Sequence, residues 1–194
     1  MEEAENMEYV IFFLEWLSLP KAQFNILAML AEQGGSFSGN YSDMCRYLNV
    51  TPQSRNRDAL RTAIETLSSN GFIEWESRGR TQHLKLIPKG REVRLDRLWV
   101  QSVIRHDYSS ESVALAPVLK VFIWVVAHCS NDGITTNKII ASSLNISEST
   151  VCAAKNVLQY EYENITKKKV SEWWGDGFRS IGQELAANAW WTDI

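Results

Sequence analysis

Residues 41–90 read YSDMCRYLNVTPQSRNRDALRTAIETLSSNGFIEWESRGRTQHLKLIPKG, and their order gives a short helix, a turn, a longer helix and a basic β-hairpin. Ser42 is the expected N-cap of the short helix, with Met44, Cys45, Tyr47 and Leu48 as its apolar face. Leu48-Asn49-Val50-Thr51-Pro52 is the turn. Val50 is expected to plug the angle between the helices, Thr51 to cap, and Pro52 to open the second helix, where a missing N–H costs nothing. That helix runs to about Ser69 and stops at Asn70-Gly71. At about 100° per residue, Leu60, Ala63, Ile64 and Leu67 share one face. The other face carries Ser54, Arg55, Asp58, Arg61, Thr62 and Glu65, with Arg57 on its flank. Three arginines and a hydroxyl in the first half of an exposed helix suit a major groove, because arginine pairs with guanine or neutralises phosphate. A solvated helix face is the plainer alternative.

Phe72-Ile73-Glu74-Trp75-Glu76 has the β-branched and aromatic content of a strand, and Leu84-Lys85-Leu86-Ile87 supplies its partner. Between them, Arg78-Gly79-Arg80-Thr81-Gln82-His83 places two arginines about a glycine turn, as a loop reaching phosphate or the minor groove would. Helix, turn, helix, Gly71-Phe72-Ile73, basic hairpin and Leu86-Ile87-Pro88-Lys89-Gly90 together resemble the winged helix-turn-helix superfamily, particularly MarR-type regulators and plasmid or phage replication initiators. The resemblance covers roughly residues 20–95. Ile87 stands where such proteins usually carry threonine, a departure of little consequence for DNA contact.

A chain of 194 residues is long enough for two small domains or one medium one. No apolar run approaches a membrane span, and the N-terminus lacks the basic start of a signal peptide, so a cytoplasmic and, by the family analogy, bacterial protein is expected. Cys45, Cys129 and Cys152 are widely spaced and odd in number, which argues for reduced thiols rather than disulfides or a zinc site. The net charge of −3 looks unsuited to a DNA binder until it is located: residues 1–19 hold five glutamates and no base, whereas 46–97 hold eleven Lys or Arg against six Asp or Glu.

Met7, Val10, Ile11, Leu14 and Leu17 fit a helix, although the Val10-Ile11-Phe12-Phe13 run also fits a buried strand; the helix is the preferred reading. Pro20 opens another helix to about Gln33, with Phe24, Ile26, Leu27, Leu30 and Ala31 inward, and 34–39 reads as a flexible loop. Arg91 to Ile104 reads as one amphipathic helix, with Val93, Leu95, Leu98, Trp99, Ser102 and Val103 on its apolar side, serving as connector or dimerisation helix. His106 to Glu111 reads as a linker, which divides the chain into domains 1–105 and 106–194.

A shift of 96 residues makes the first half reappear in the second. Ile26, Leu27, Leu30 and Ala31 fall on Phe122, Ile123, Val126 and Ala127; Met44, Cys45 and Leu48 fall on Ile140, Ala141 and Leu144. Leu48-Asn49-Val50-Thr51 falls on Leu144-Asn145-Ile146-Ser147, whose continuation resembles the Ile-Ser-x-Ser-Thr-Val turns of bacterial regulators. The expected fold is therefore mainly α with small β-hairpin wings, an α+β chain of two tandem winged helix-turn-helix domains. The second recognition helix starts after Ser147 and runs to about Tyr160, with Val151, Ala154 and Leu158 inward and Ser149, Cys152, Ala153, Asn156 and Tyr160 outward, Lys155 beside them. Its face is nearly uncharged, and residues 110–194 hold seven basic and nine acidic residues, so weak DNA contact or mainly protein contact is expected. Ile165 to Val170 begins a second wing, Gly175-Asp176-Gly177 turns it, and 178–191 returns, with a short helix over Gln183 to Ala189 as the alternative. Trp173-Trp174 and Trp190-Trp191 would meet across that hairpin, either stacking single-stranded bases beside Lys167 to Lys169 or simply packing together.

No catalytic constellation, cofactor-binding motif or metal motif is evident, and no enzyme is expected; His128 and Cys129 adjoin, but neighbours on a helix point in different directions. The expected function is sequence-specific binding of double-stranded DNA, in transcriptional regulation or, slightly favoured by the tandem arrangement, initiation of plasmid or phage replication. Gln53, Ser54, Arg55, Asn56, Arg57 and Arg61 would address the major groove. Arg78, Arg80 and Gln82 would serve at the wing, and Ser149, Thr150, Lys155, Asn156, Lys167, Lys168 and Lys169 in the second domain. The chain would read an asymmetric site as a monomer, or a palindrome as a homodimer. The rival is a winged-helix module that binds proteins and has no DNA role, suggested by the acidic N-terminus and the eight tryptophans.

Overall fold

The computed structural model describes residues 9–129, 134–162, 165–173 and 178–187, with the side chains of Ile134, 166–173 and 178–187 outside that description. The chain has a mixed α and β architecture with small antiparallel sheets, and it divides into two compact units, Met1–Asp107 and Tyr108–Ile194. No helix among the described residues is long and apolar enough to cross a membrane.

The first unit runs β1 (Tyr9–Phe13), a 3-10 turn over Leu14–Ser18, α1 (Lys21–Glu32), β2 (Ser36–Gly39), α2 (Tyr41–Tyr47), α3 (Ser54–Ser69), β3 (Ile73–Arg78), β4 (Thr81–Leu86), β5 (Glu92–Asp96) and α4 (Arg97–Arg105). Its core is α1, in which every residue from Phe24 to Glu32 is buried. A helix apolar on all sides has to be wrapped, and α3, α4, β1 and β4 do so. The α3 side of that contact is Leu60, Ala63, Ile64 and Leu67, the four residues that helical spacing singles out.

The N-terminal segment is a strand, not the helix preferred from its sequence. Val10 pairs with Leu95 and Phe12 with Val93 in an antiparallel β1–β5 ladder, and the Phe12 ring stacks on Phe24 of α1 at 6.5 Å. The same ladder corrects the reading of Arg91 to Ile104 as one helix. Val93 and Leu95 alternate inward at strand period, and helix begins only after Asp96, whose carboxylate accepts the Trp99 N–H at 2.7 Å. Leu98 and Ser102, expected to face inward, are exposed; Trp99, Val100, Val103 and Ile104 form the buried side of α4.

Three smaller corrections concern the segment leading to α3. Ser36–Gly39 is a strand rather than a loop, forming the edge of a three-stranded sheet of order β2-β4-β3. Asn40, not Ser42, caps α2. Its side chain accepts from the Ser42 and Asp43 amides at 2.8 and 3.1 Å while Asp43 accepts from the Asn40 amide, a reciprocal cap that a serine two residues on could not make. Val50 is 38% exposed and plugs nothing; Leu48 is the buried residue there, and α3 starts after Gln53, leaving Thr51 and Pro52 outside it.

The second unit has a 3-10 turn over Tyr108–Ser110, α5 (Leu115–His128), β6 (Ile134–Thr135), α6 (Asn137–Leu144), α7 (Glu148–Tyr160), β7 (Ile165–Trp173) and β8 (Phe178–Ala187). Its sheet order, β6-β8-β7, repeats β2-β4-β3. Gln183 to Ala187 belongs to β8, so the alternative of a helix there is excluded for those residues. The expected turn at Gly175-Asp176-Gly177, and Trp174, Trp190 and Trp191, lie outside the described residues.

The repeat is sharpest at the turn. Asn49 (φ 50°) and Asn145 (φ 52°), 96 residues apart, are the non-glycine residues with left-handed backbone among the described residues. At the same spacing the Val50 amide donates to the Cys45 carbonyl at 2.9 Å and the Ile146 amide to the Ala141 carbonyl at 3.1 Å. This is how an αL residue closes a helix end, and asparagine tolerates it better than other side-chain-bearing residues. Beyond the turn the spacing drops to 94, from cap Gln53 to cap Ser147. With that shift Leu60, Ala63 and Ile64 fall on Ala154, Val157 and Leu158, all buried.

Candidate functional site

In the first unit, α2, the first half of α3 and the β3–β4 turn enclose a cleft of about 670 Å³. Arg46 comes from α2, Arg57 and Arg61 from α3, and Arg80 from a two-residue hairpin turn in which Gly79 takes φ +63°. Arg78 and Thr81 pair across that turn, so the left-handed glycine is what lets the chain reverse there and carry Arg80 to the cleft. All four arginines are exposed.

The floor is a buried amide. Gln82 is only 3% exposed; its Oε1 accepts from the Trp75 indole at 2.9 Å and from the Tyr41 hydroxyl at 3.4 Å, and its Nε2 donates to Ser77 Oγ at 3.1 Å. The Tyr41 ring lies under the Arg61 guanidinium, 5.8 Å from its centroid. A polar chain thus runs from the hairpin through Gln82 and Tyr41 to α3. Burial pushes the Tyr41 hydroxyl pKa up, and Arg61 partly offsets it. The expected role of Gln82 at the surface is corrected: its amide is occupied in fastening the hairpin to α2.

The arginines fall into two groups. Arg46 pairs with Asp43 at 2.9 Å, Arg61 with Asp58 at 3.1 Å, and Arg78 grips Glu76 through two bonds of 2.8 and 3.0 Å that hold the Glu76 carboxyl below its usual range. Arg55, Arg57 and Arg80 make no ion pair within the described residues and carry uncompensated charge. Arg78 does not line the cleft. Of the other expected contacts, Ser54 lines it and Gln53 is exposed at the start of α3, while Asn56 is turned back, its Nδ2 donating to the Thr51 carbonyl at 2.8 Å. Arg46, Tyr41 and Asn40 were missed by sequence reasoning; only the excess of positive charge beginning at Arg46 signalled the first of them.

The equivalent face of the second unit is chemically different. Ser147 Oγ lies 2.8 Å from Ser149 Oγ and 2.7 Å from Thr150 Oγ1, so these hydroxyls form a cluster at the α7 cap. Asn156 is exposed. Lys155 is 2% exposed and inside the unit, which corrects its expected place beside the outer face. Lys167, Lys168 and Lys169 sit within β7, in register with Leu185, Glu184 and Gln183; their side chains lie outside the described residues. His83 shares a hydrogen bond with Ser38 Oγ at 3.1 Å, and the His128 ring stacks on Trp124 at 4.7 Å. Cys45 and Cys129 are buried, with their thiol pKa values raised by burial, and Cys152 is exposed. No cluster able to hold a metal occurs among the described residues.

No protein-family model matches the chain, and no curated protein matches it.

Proposed function

We propose that the first unit is a winged helix-turn-helix that binds double-stranded DNA sequence-specifically, with α3 as the recognition helix and the β3–β4 hairpin as the wing. The observation that carries this reading is the convergence of Arg46, Arg57, Arg61 and Arg80 from three elements on one cleft. Arginine forks of this kind position a protein on phosphates and reach guanine edges. The second unit is a winged helix of the same layout whose nearly uncharged α7 face contributes little to phosphate binding, leaving it for protein contact. Two such units in one cytoplasmic chain suit initiation of plasmid or phage replication slightly better than simple repression, where one unit per subunit and a homodimer are the common arrangement.

Fluorescence anisotropy of the full chain against pooled random duplex, at low and moderate salt, tests the proposal. Affinity should fall steeply with salt, by about 0.9 in log–log slope for each phosphate neutralised, and selection on the bound pool should enrich one motif. No binding at low salt would overturn the reading and leave the protein-binding module in its place.

A further inference from the structure

Asp58 is anomalous in a cleft built to attract phosphate. It lies on the exposed side of α3, and its Oδ1 accepts from Arg61 Nη2 at 3.1 Å, within the same cleft as Arg57 and Arg80. A carboxylate there repels the phosphates that the arginines attract, so it weakens sequence-independent binding. What a carboxylate can accept from a duplex is an amino group on a base edge. Cytosine N4 offers a donor alone, whereas adenine sets an N7 acceptor beside its N6 donor, where the second carboxylate oxygen would meet it. Arg61 supplies the complementary half, since a guanidinium donates to guanine O6 and N7. Side by side, the two residues present donors and an acceptor in the order that one G·C pair presents N7, O6 and N4.

We infer that Asp58 determines specificity for a G·C pair, accepting from cytosine N4 while Arg61 donates to the guanine and Arg57 and Arg80 hold phosphates. The inference rests on the DNA-binding reading of the cleft. The second unit lacks the dyad: at the 94-residue spacing Asp58 and Arg61 fall on Cys152, which is exposed, and Lys155, which is buried.

The test is sequence selection from random duplex by the full-length protein, Asp58→Ala and Asp58→Asn, with affinities measured on the selected and the random duplex and folding checked by circular dichroism. The wild-type motif should contain a fixed G·C position. Asp58→Ala should lose the preference at that position, weaken binding to the selected duplex by roughly 5- to 150-fold and strengthen binding to random duplex. Asp58→Asn, which keeps the side-chain shape, should move the position toward A·T, because asparagine matches the paired donor and acceptor of adenine. A residue that merely steadied Arg61 would weaken both duplexes together, and that result would overturn the inference. So would a motif shared by all three proteins, or a wild-type motif without a G·C position. In each of these cases salt-sensitive wild-type binding keeps the DNA reading while removing Asp58 from it; absence of such binding removes both.

Discussion

The two units share a backbone turn and differ in the chemistry mounted on it. Asn49 and Asn145 take the same left-handed conformation and close the same hydrogen bond, yet the helices that follow carry opposite kinds of surface. At matched positions Arg55, Arg57 and Arg61 of α3 become Ser149, Val151 and Lys155 of α7, the last two buried. Likewise Glu32, whose carboxylate accepts from Tyr47 and, at 2.6 Å, from Gln101, falls on His128, which stacks on Trp124. The apolar stripe and the turn are kept in both units, while the positions around them, exposed or buried, differ in chemistry, so a shared fold carries two different surfaces.

The largest expected effect tests that division directly. Replacing Arg57 and Arg80 with alanine should weaken binding to duplex DNA by roughly 10- to 100-fold at moderate salt and flatten the salt slope by about two units, because both side chains carry unpaired charge. Replacing Ser149 and Asn156 should change affinity by less than about threefold and leave the slope alone. Equal losses from the two pairs, measured by anisotropy, would break the distinction between the units.

How much of this was legible in the sequence follows the range of the interactions. The buried stripe of α3 was readable because helical spacing is local, and the repeat because, as far as the turn, it keeps apolar class and the Leu-Asn pair at one spacing. The β1–β5 ladder was not, since Phe12 meets Val93 only once the chain has folded around α1, and Val10-Ile11-Phe12-Phe13 taken alone suits helix and strand alike. Within the site, Arg57, Arg61 and Arg80 could be nominated from charge and pattern, but the convergence of Arg46 on them needed the fold, and Arg55, nominated with them, does not line the cleft. Gln82 and Lys155 were misplaced for one reason: polarity signals the surface until a tertiary partner or an apolar stem makes burial tolerable.

Buried charge supplies the next contrast. Lys120 on α5 is 4% exposed, and burial lowers its amine from the ordinary 10.5 to about 8, whereas no buried lysine occurs among the described residues of the first unit. The folded protein therefore binds fewer protons than the unfolded chain between about pH 8 and 10.5, so stability rises with pH across that window and is lower below it. Tyr108 and Tyr162 act in the opposite sense. Burial raises both hydroxyls, Tyr162 to about 12, so their contribution is lost as pH climbs above the ordinary tyrosine value of 10. Thermal unfolding should rise by about 5 °C from pH 7.5 to 9.5 and decline at higher pH. In Lys120→Met the rise should vanish; a rise that persists would mean another group titrates.

The hairpin fastening of the first unit should cost less to undo. Gln82→Leu leaves the Trp75 indole and the Ser77 hydroxyl without the amide and should destabilise the protein by about 1–2 kcal/mol in urea unfolding. Because the amide ties the hairpin to α2 through Tyr41, the same change should weaken DNA binding about threefold through a displaced Arg80. Lost stability with unchanged affinity would separate the fastening from the site.

The smallest effect is also the most symmetric. Alanine in left-handed backbone costs about 1 kcal/mol relative to a residue that tolerates it, so Asn49→Ala and Asn145→Ala should each lower stability by about that amount. Glycine needs no such tolerance, and Asn49→Gly and Asn145→Gly should stay within about 0.5 kcal/mol of wild type. The two positions stand in units with different surfaces, so matched responses would tie the equivalence to backbone geometry alone. If one alanine variant were costly and the other neutral, the shared turn would be a resemblance of coordinates without a shared energetic role, and the comparison between the units would have to rest on their cores.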